Sequence, residues 1–423
     1  MPLTKSTREL LHNKEFRLLY GGYLASAVTD GFIPIVFTIE VLRISSSPWA
    51  LSMVLIALML GRFLVVPLSG RLAATRHPLA VMIGADTIRI TAQAGLVVVI
   101  ILSSNSAAAM VVSAFLYGVG VGVYMPAQKT ALPALVSPTG LEKANATFSM
   151  ATDVSLIAGP ALGVAVTHLL GFSGALALDC LTFAINIAAL LRLIAVCRAQ
   201  RINLQADTAA RATEDGTAMS AGGTIRIAWR LARTDSFLGS SLAFWTCTSV
   251  LIGMVAVYAP SRIIDSTGGA GTWAAIATVM AVSSLAGSVS AAVGTRLPYR
   301  FGVLAVATLL ISQIVAVALE MHSGSVAAYF TYAVFGAGAL MTTWSGIQWT
   351  SAVQRRLHRA DLGRFFAVES ALTAIGIPVG MALAPVLELA SGLWLLAILG
   401  VALLAAAVIV ARTPTRSLEY ATT

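Results

Sequence analysis

Ionisable residues interrupt several long apolar segments of this chain, where they could bind a proton, a substrate or one another. Asp30, Arg62, Asp86, Arg89 and Asp153 each lie well inside such a segment. Asp86 and Arg89 are three residues apart, so a helix would place both on one face. A charged side chain at the centre of a bilayer costs about 2.5–3.5 kcal/mol on insertion scales, so charges retained there are candidates for function.

Asp30 is the most deeply placed of these acids. It lies about 13 residues into the first apolar segment, which is about 20 Å along a helix and close to the middle of a membrane. Burial disfavours the charged form of a carboxyl group, so Asp30 could carry a coupling proton. It could equally bind a cationic substrate or form a structural hydrogen bond to a neighbouring helix.

The other four charges are predicted to lie together. Counting from the helix ends puts Arg62, Asp86, Arg89 and Asp153 at similar depths on neighbouring helices. We predict a cluster of these four, which would serve proton coupling or substrate binding or would form a static buried ion network. Asp179 is a weaker candidate, and Glu369 is expected to pair with Arg364 or a loop arginine.

The composition indicates that these charges lie in a membrane. Of 423 residues, 58% are hydrophobic and 11% are charged, whereas a soluble protein has about 25% charged residues. This excludes a soluble enzyme, a disordered chain and a disulfide-rich secreted module. Segments of about 20 apolar residues span a bilayer as helices. Twelve are predicted: 18–42, 49–70, 79–102, 107–128, 144–170, 173–196, 236–262, 271–295, 301–320, 326–349, 364–388 and 391–411.

The basic residues predict the orientation. With both termini in the cytoplasm, 23 of the 27 Lys and Arg residues fall in inner intervals or at inner helix ends. The net charge of +9 therefore reflects membrane topology and does not indicate nucleic-acid binding. We predict a multi-pass protein of the cell (inner) membrane.

A polar interval over 197–235 divides the chain into two halves of six helices. We predict an all-α polytopic membrane protein with an N-terminal bundle over 1–196, a cytoplasmic loop over 197–235 and a C-terminal bundle over 236–423. Part of the loop, 224–233, could form an amphipathic helix on the inner membrane surface. The halves echo each other in Gly159-Pro160-Ala161-Leu162-Gly163 and Gly376-Ile377-Pro378-Val379-Gly380. Such repeats are typical of secondary transporters.

No residue pattern indicates enzyme or cofactor chemistry. The three cysteines form no CxxC motif, the five histidines are scattered, and HExxH and GxxxxGK[ST] are absent from the sequence. We therefore expect no enzymatic activity, no metal site and no cofactor, and active transport would need an ion gradient.

Ordered motifs carry a family resemblance. They are Asn13-Lys14-Glu15-Phe16-Arg17-Leu18-Leu19, Asp30-Gly31, Tyr124-Met125-Pro126-Ala127 and Leu362-Gly363-Arg364. In this order the chain resembles the major facilitator superfamily, most of all the drug-efflux branch that includes enterobactin exporters and macrolide efflux proteins. The resemblance implies two six-helix bundles that alternate access to a central substrate site.

Two further family motifs are recognisable, one in helix five and one in the loop between helices two and three. Gly159, Pro160 and Gly163 match the core of the antiporter motif, which in the family accompanies export; the alternative is a generic Gly-Pro kink. The inner-gate loop keeps Gly70, Arg71 and Arg76 but has Ala74 where the family has an acid. The resemblance implies that this acid helps to lock the inner gate.

The C-terminal half offers aromatic residues in place of charges. Phe244, Trp245, Trp344 and Gln348 are interpreted as a candidate substrate wall, because aromatic surfaces suit large amphipathic molecules. The alternative is that these side chains anchor the interface or pack in the core.

Together these features predict a secondary active transporter that exports a small amphipathic organic molecule, such as a drug, a secondary metabolite or a siderophore. The expected partners are that molecule, protons and the lipid bilayer, and the expected state is a monomer. The alternatives are a lysophospholipid flippase and a non-transporting membrane sensor.

Overall fold

A computed structural model describes residues 13–44, 48–65, 68–69, 72, 76–102, 107–201, 221–265, 269–294, 299–320, 324–384 and 392–412. These residues form an all-α fold. In chain order the helices are α1 (Lys14–Ile44), α2 (Pro48–Leu64), α3 (Pro78–Leu102), α4 (Ala107–Leu135), α5 (Leu141–Ala199), α6 (Ala221–Thr234), α7 (Ser236–Asp265), α8 (Gly269–Val293), α9 (Tyr299–Glu320), α10 (Gly324–Arg356), α11 (Arg359–Leu383) and α12 (Gly392–Arg412).

Within the described residues every predicted apolar segment overlaps one of these helices, and segments five and six share α5. The backbone of α5 breaks at Gly171, with φ 70° and ψ 177°, a conformation that only glycine adopts readily. Eight helical stretches within the described residues are long and apolar enough to cross a membrane. Since lipid cannot satisfy backbone polar groups, helices are the expected form for such segments.

The chain forms two compact units. One contains Met1–Ile227 together with Leu357–Ala371, and the other contains Ala228–Arg356 together with Leu372–Thr423. The helix α11 therefore begins in the first unit and ends in the second. The six-plus-six division at 197–235 stays a prediction.

A close contact between α1 and α5 organises the first unit. A Cβ atom at Gly159 would collide with the backbone oxygen of Gly31, and one at Gly163 would lie 3.1 Å from the oxygen of Phe32. Ser155 donates its hydroxyl hydrogen bond to the oxygen of Ala27 on α1. The glycines of the antiporter motif thus permit close approach of two helices.

The second unit repeats this arrangement between α7 and α11. A Cβ atom at Gly253 would collide with the oxygen of Ile377, and one at Gly380 would collide with the oxygen of Val250. A Cβ atom at Gly376 would collide with the side chain of Ser249. The sequence echo between the two halves therefore corresponds to a repeated helix contact.

The helix α6 follows the undescribed residues 202–220 and contains the segment predicted to be amphipathic. Ala228 is fully buried, whereas Trp229 is exposed and lies against the guanidinium of Arg233 at 4.9 Å. This division of faces agrees with an amphipathic helix.

Candidate functional site

Three charged side chains of the first unit, those of Asp30, Arg89 and Asp86, are linked by two ion pairs. Arg89 Nη1 lies 3.3 Å from Asp30 Oδ1, and Arg89 Nη2 donates a short hydrogen bond to Asp86 Oδ1. The side chains of Arg89 and Asp86 are buried, while that of Asp30 is 33% exposed. Arg89 therefore links a fully buried carboxylate on its own helix to an accessible one on α1.

Aromatic and amide groups contact all three of these side chains. The Arg89 guanidinium lies over the ring of Phe183 at 4.1 Å and over that of Tyr124 at 5.0 Å, an arrangement that favours a buried cation. The Tyr117 hydroxyl donates a short hydrogen bond to Asp30 Oδ1. Asn186 Nδ2 donates to Asp86 Oδ2 at 2.7 Å.

The accessible carboxylate of Asp30 lines a cavity of about 320 Å³. The rest of the wall is mainly apolar and includes Phe37, Leu58 and Met125, with Arg62 also on the lining. Cavities of this kind, mostly apolar with a few polar groups, are typical of small-molecule sites.

The four-residue cluster expected from the sequence is only partly assembled. Asp86 and Arg89 are paired, but Asp30 joins them in place of Arg62. Arg62 makes no ion pair with Asp86; it lies on the cavity wall within electrostatic range of Asp30. Asp153 is buried on α5, next to Thr152 on the cavity lining. Asp86 is instead satisfied by Arg89 and Asn186.

A second cluster of polar side chains lies between α3, α4 and the part of α5 that follows the break at Gly171. Asp179 is fully buried, and its Oδ2 accepts a hydrogen bond from Gln93 Nε2 at 3.2 Å. Ser113 donates to Gln93 Oε1 at 3.3 Å. Sequence reasoning missed Gln93, Tyr117 and Asn186, because a neutral polar residue within an apolar helix gives no distinctive signal by itself.

The inner-gate loop lies largely outside the described residues, which exclude Gly70 and Arg71. Arg76 is exposed, and its backbone N–H donates to the oxygen of Leu72 at 2.9 Å.

The prediction that Glu369 pairs with Arg364 or a loop arginine is wrong. Its Oε2 lies 3.1 Å from Lys129 Nζ on α4, and both residues belong to the first unit. Arg364 is instead 3.9 Å from Asp361 on its own helix. The spacing along α11 did not reveal the long-range partner.

The residues of the candidate substrate wall differ in burial. Phe244 and Trp344 are buried in the second unit, where Phe244 is part of an apolar core. Trp245 and Gln348 are half-buried, and the Trp245 ring lies 5.4 Å from that of Phe244. For Phe244 and Trp344, burial supports the alternative role of core packing.

The long apolar helices, together with an apolar cavity beside the ion pairs of Asp30, Arg89 and Asp86, define a multi-pass membrane protein with a transporter fold. Residues 19–360 match the sequence profile of the Major Facilitator Superfamily, so the chain belongs to this superfamily, whose members are transporters rather than enzymes. No curated protein sequence matches the chain significantly.

Solved structures agree on the fold. A bacterial homologue of the iron transporter ferroportin, in an outward-facing state, is 17% identical with a TM-score of 0.72, covering 94% of this chain and 98% of that one. The Escherichia coli fucose:proton symporter FucP is 15% identical with a TM-score of 0.67, covering 94% and 97%. The proton:xylose symporter XylE is 15% identical with a TM-score of 0.63, covering 95% and 94%.

Proposed function

We propose that this protein exports a small amphipathic organic molecule across the cell (inner) membrane, with both termini in the cytoplasm, in exchange for protons. The observation that carries the proposal is Asp30, a partly exposed carboxylate on an apolar cavity that is bonded to the buried Arg89. Such a group can meet both a proton and a substrate, because the cavity reaches it while the protein interior holds its counter-charge.

Protonation of Asp30 would remove one of the two anions on Arg89. Asp86 would then be the one carboxylate paired with the Arg89 guanidinium, since it accepts a hydrogen bond from Nη2. A change in the charge balance between α1 and α3 supplies a physical link between proton binding and helix packing. The glycine-rich contact of α1 with α5 lies beside this site, since Gly31 follows Asp30 directly.

The drug-efflux specificity rests on the resemblance in the sequence and on the cavity wall. Phe37, Leu58 and Met125 offer apolar contact surface, and Asp30 offers one negative group. This combination suits an amphipathic molecule, above all one with a positive charge.

Reconstituted vesicles test the proposal. The purified full chain is oriented with its cytoplasmic face outward, the lumen is made acidic, and ethidium and radiolabelled erythromycin serve as probes. We expect uphill accumulation of at least one probe in the lumen, and collapse of the pH gradient by a protonophore should abolish it. Accumulation of neither probe above that of protein-free vesicles, or accumulation that survives the protonophore, would overturn the proposal.

A further inference from the structure

The charged groups around Arg89 in the first unit do not balance when each is in its usual ionised state. Asp30, Asp86 and Asp179 lie within electrostatic range of one another's networks, and the cations that act on them are Arg89 and Arg62. Three carboxylates therefore face two guanidinium groups. An uncompensated buried anion is costly in an apolar interior, so one of the three carboxyl groups is expected to be neutral.

The hydrogen bonds distinguish the three acids. Asp30 and Asp86 both contact Arg89 directly. Asp179 makes no ion pair with any described residue; its Oδ2 accepts from the neutral amide of Gln93, and its buried Oδ1 has no hydrogen-bond partner. A fully ionised carboxylate in this position would lack both a counter-ion and a full set of donors.

The charged and titratable groups around Asp179 favour a neutral carboxyl group. From α1 it faces Asp30, a like charge, and Thr29, whose hydroxyl lies within hydrogen-bonding range of the carboxyl but also donates to the oxygen of Ser26 at 2.9 Å; from α4 it faces the phenol of Tyr117. From α3, Arg89 acts on it only at a distance, because its guanidinium is bonded to the other two acids. The adjacent Cys180 thiol is directed to the backbone oxygen of Ile90, at 3.8 Å.

We propose that Asp179 carries a proton in this conformation and is a second protonation site of the transport cycle. The role of Asp179 in the transport cycle rests on the proposed function. Tyr117 is bonded to Asp30 and lies within electrostatic range of Asp179. Tyr117 therefore lies between the two carboxyl groups, and a proton that leaves or reaches Asp30 changes the charge that Asp179 faces.

Infrared spectroscopy tests the protonation without any transport substrate. The purified full chain is compared at neutral pH with Asp179→Asn and with the control Glu40→Gln, whose pair with Arg43 lies outside this charge set, and the carbonyl stretch of protonated carboxylic acids is recorded. We expect Asp179→Asn to lose the intensity of one protonated carboxyl group, whereas Glu40→Gln keeps it. An unchanged band in Asp179→Asn would overturn the proposal.

Folding gives an independent reading. Asparagine is close in shape to a protonated aspartic acid, so Asp179→Asn should remain monodisperse with a thermal midpoint near that of the parent. Asp86→Asn should show the larger loss, since it removes a charged partner of Arg89. Failure of Asp179→Asn to fold, while Asp86→Asn folds, would contradict the proposal because it would mean that the negative charge is required.

Vesicle transport tests the role in the cycle. With the probes and the acidic lumen described above, we expect Asp179→Asn to lose uphill accumulation but to retain equilibration of the probe. Full uphill accumulation by this variant would overturn the coupling role. If the parent chain itself accumulates no probe, the proposed function fails, while the infrared result still decides the protonation state.

Discussion

At the scale of single residues, Arg89 is the group on which the buried charges depend. It contacts two carboxylates and three aromatic rings and is almost fully buried. Its positive charge compensates Asp86, which has no exposure to solvent. A loss of Arg89 therefore exposes the protein to the full cost of a buried, uncompensated anion.

We predict that Arg89→Gln destabilises the protein by roughly 3–5 kcal/mol, the usual range for removing one partner of a buried ion pair. Thermal unfolding in detergent measures this loss. Addition of Asp86→Asn should recover part of it, because the orphaned anion is then removed as well. The control is Arg43→Gln, whose exposed pair with Glu40 should contribute no more than about 1 kcal/mol. Equal losses from both arginine variants would contradict the assignment.

The sequence predicted part of this site for physical reasons that can be named. A three-residue spacing on one helix fixes the proximity of Asp86 and Arg89. Asp30 is 59 residues from Arg89, so its contact depends on how α1 packs against α3. Equal depth suggested a partner role for Arg62, but depth does not specify the direction in which a side chain points around the helix.

At the scale of helices, the glycine contact between α1 and α5 gives the antiporter motif a structural role. The small residues at 31, 159 and 163 bring the two backbones together next to the cavity. The order of Gly and Pro along α5 could be read from the sequence, whereas the facing Gly31 could be identified only from the packing.

We predict that Gly159→Ala destabilises the protein by roughly 1–3 kcal/mol, because the added methyl group meets the backbone of α1 and the helices must separate. The matched control is Gly21→Ala on α1, where nothing lies within 4 Å of the added atom. That control should be neutral or stabilising by up to about 1 kcal/mol. The thermal midpoints of both variants provide the measurement, and a fully stable Gly159→Ala would show that the contact is looser than described.

At the scale of the whole molecule, composition and hydrophobic length predict twelve apolar segments, and the Gly-Pro echo in the sequence corresponds to a helix contact that each unit contains. The first unit includes the start of α11, which segment length alone could not indicate. The ion pair between Lys129 and Glu369 lies within that unit and accounts for part of this attachment.

The orientation predicted from the basic residues is testable by cysteine labelling in a variant that lacks Cys180, Cys197 and Cys247. A cysteine introduced at Gly269 should react with a membrane-impermeant maleimide added to intact cells. One introduced at Ala209, in the central polar interval, should react only after the membrane is opened. The opposite pattern would reverse the topology and with it the direction of the proposed transport.

Proton coupling through Asp30 is the central claim, and one substitution tests it most directly. Asp30→Asn keeps the size of the side chain and removes its titration. In oriented vesicles with an acidic lumen, we predict that this variant still exchanges probe for probe but no longer accumulates it uphill, because exchange needs no net movement of protons. Glu40→Gln, on the same helix and paired with Arg43, is the control and should accumulate the probe like the parent. Full uphill accumulation by Asp30→Asn would contradict the claim.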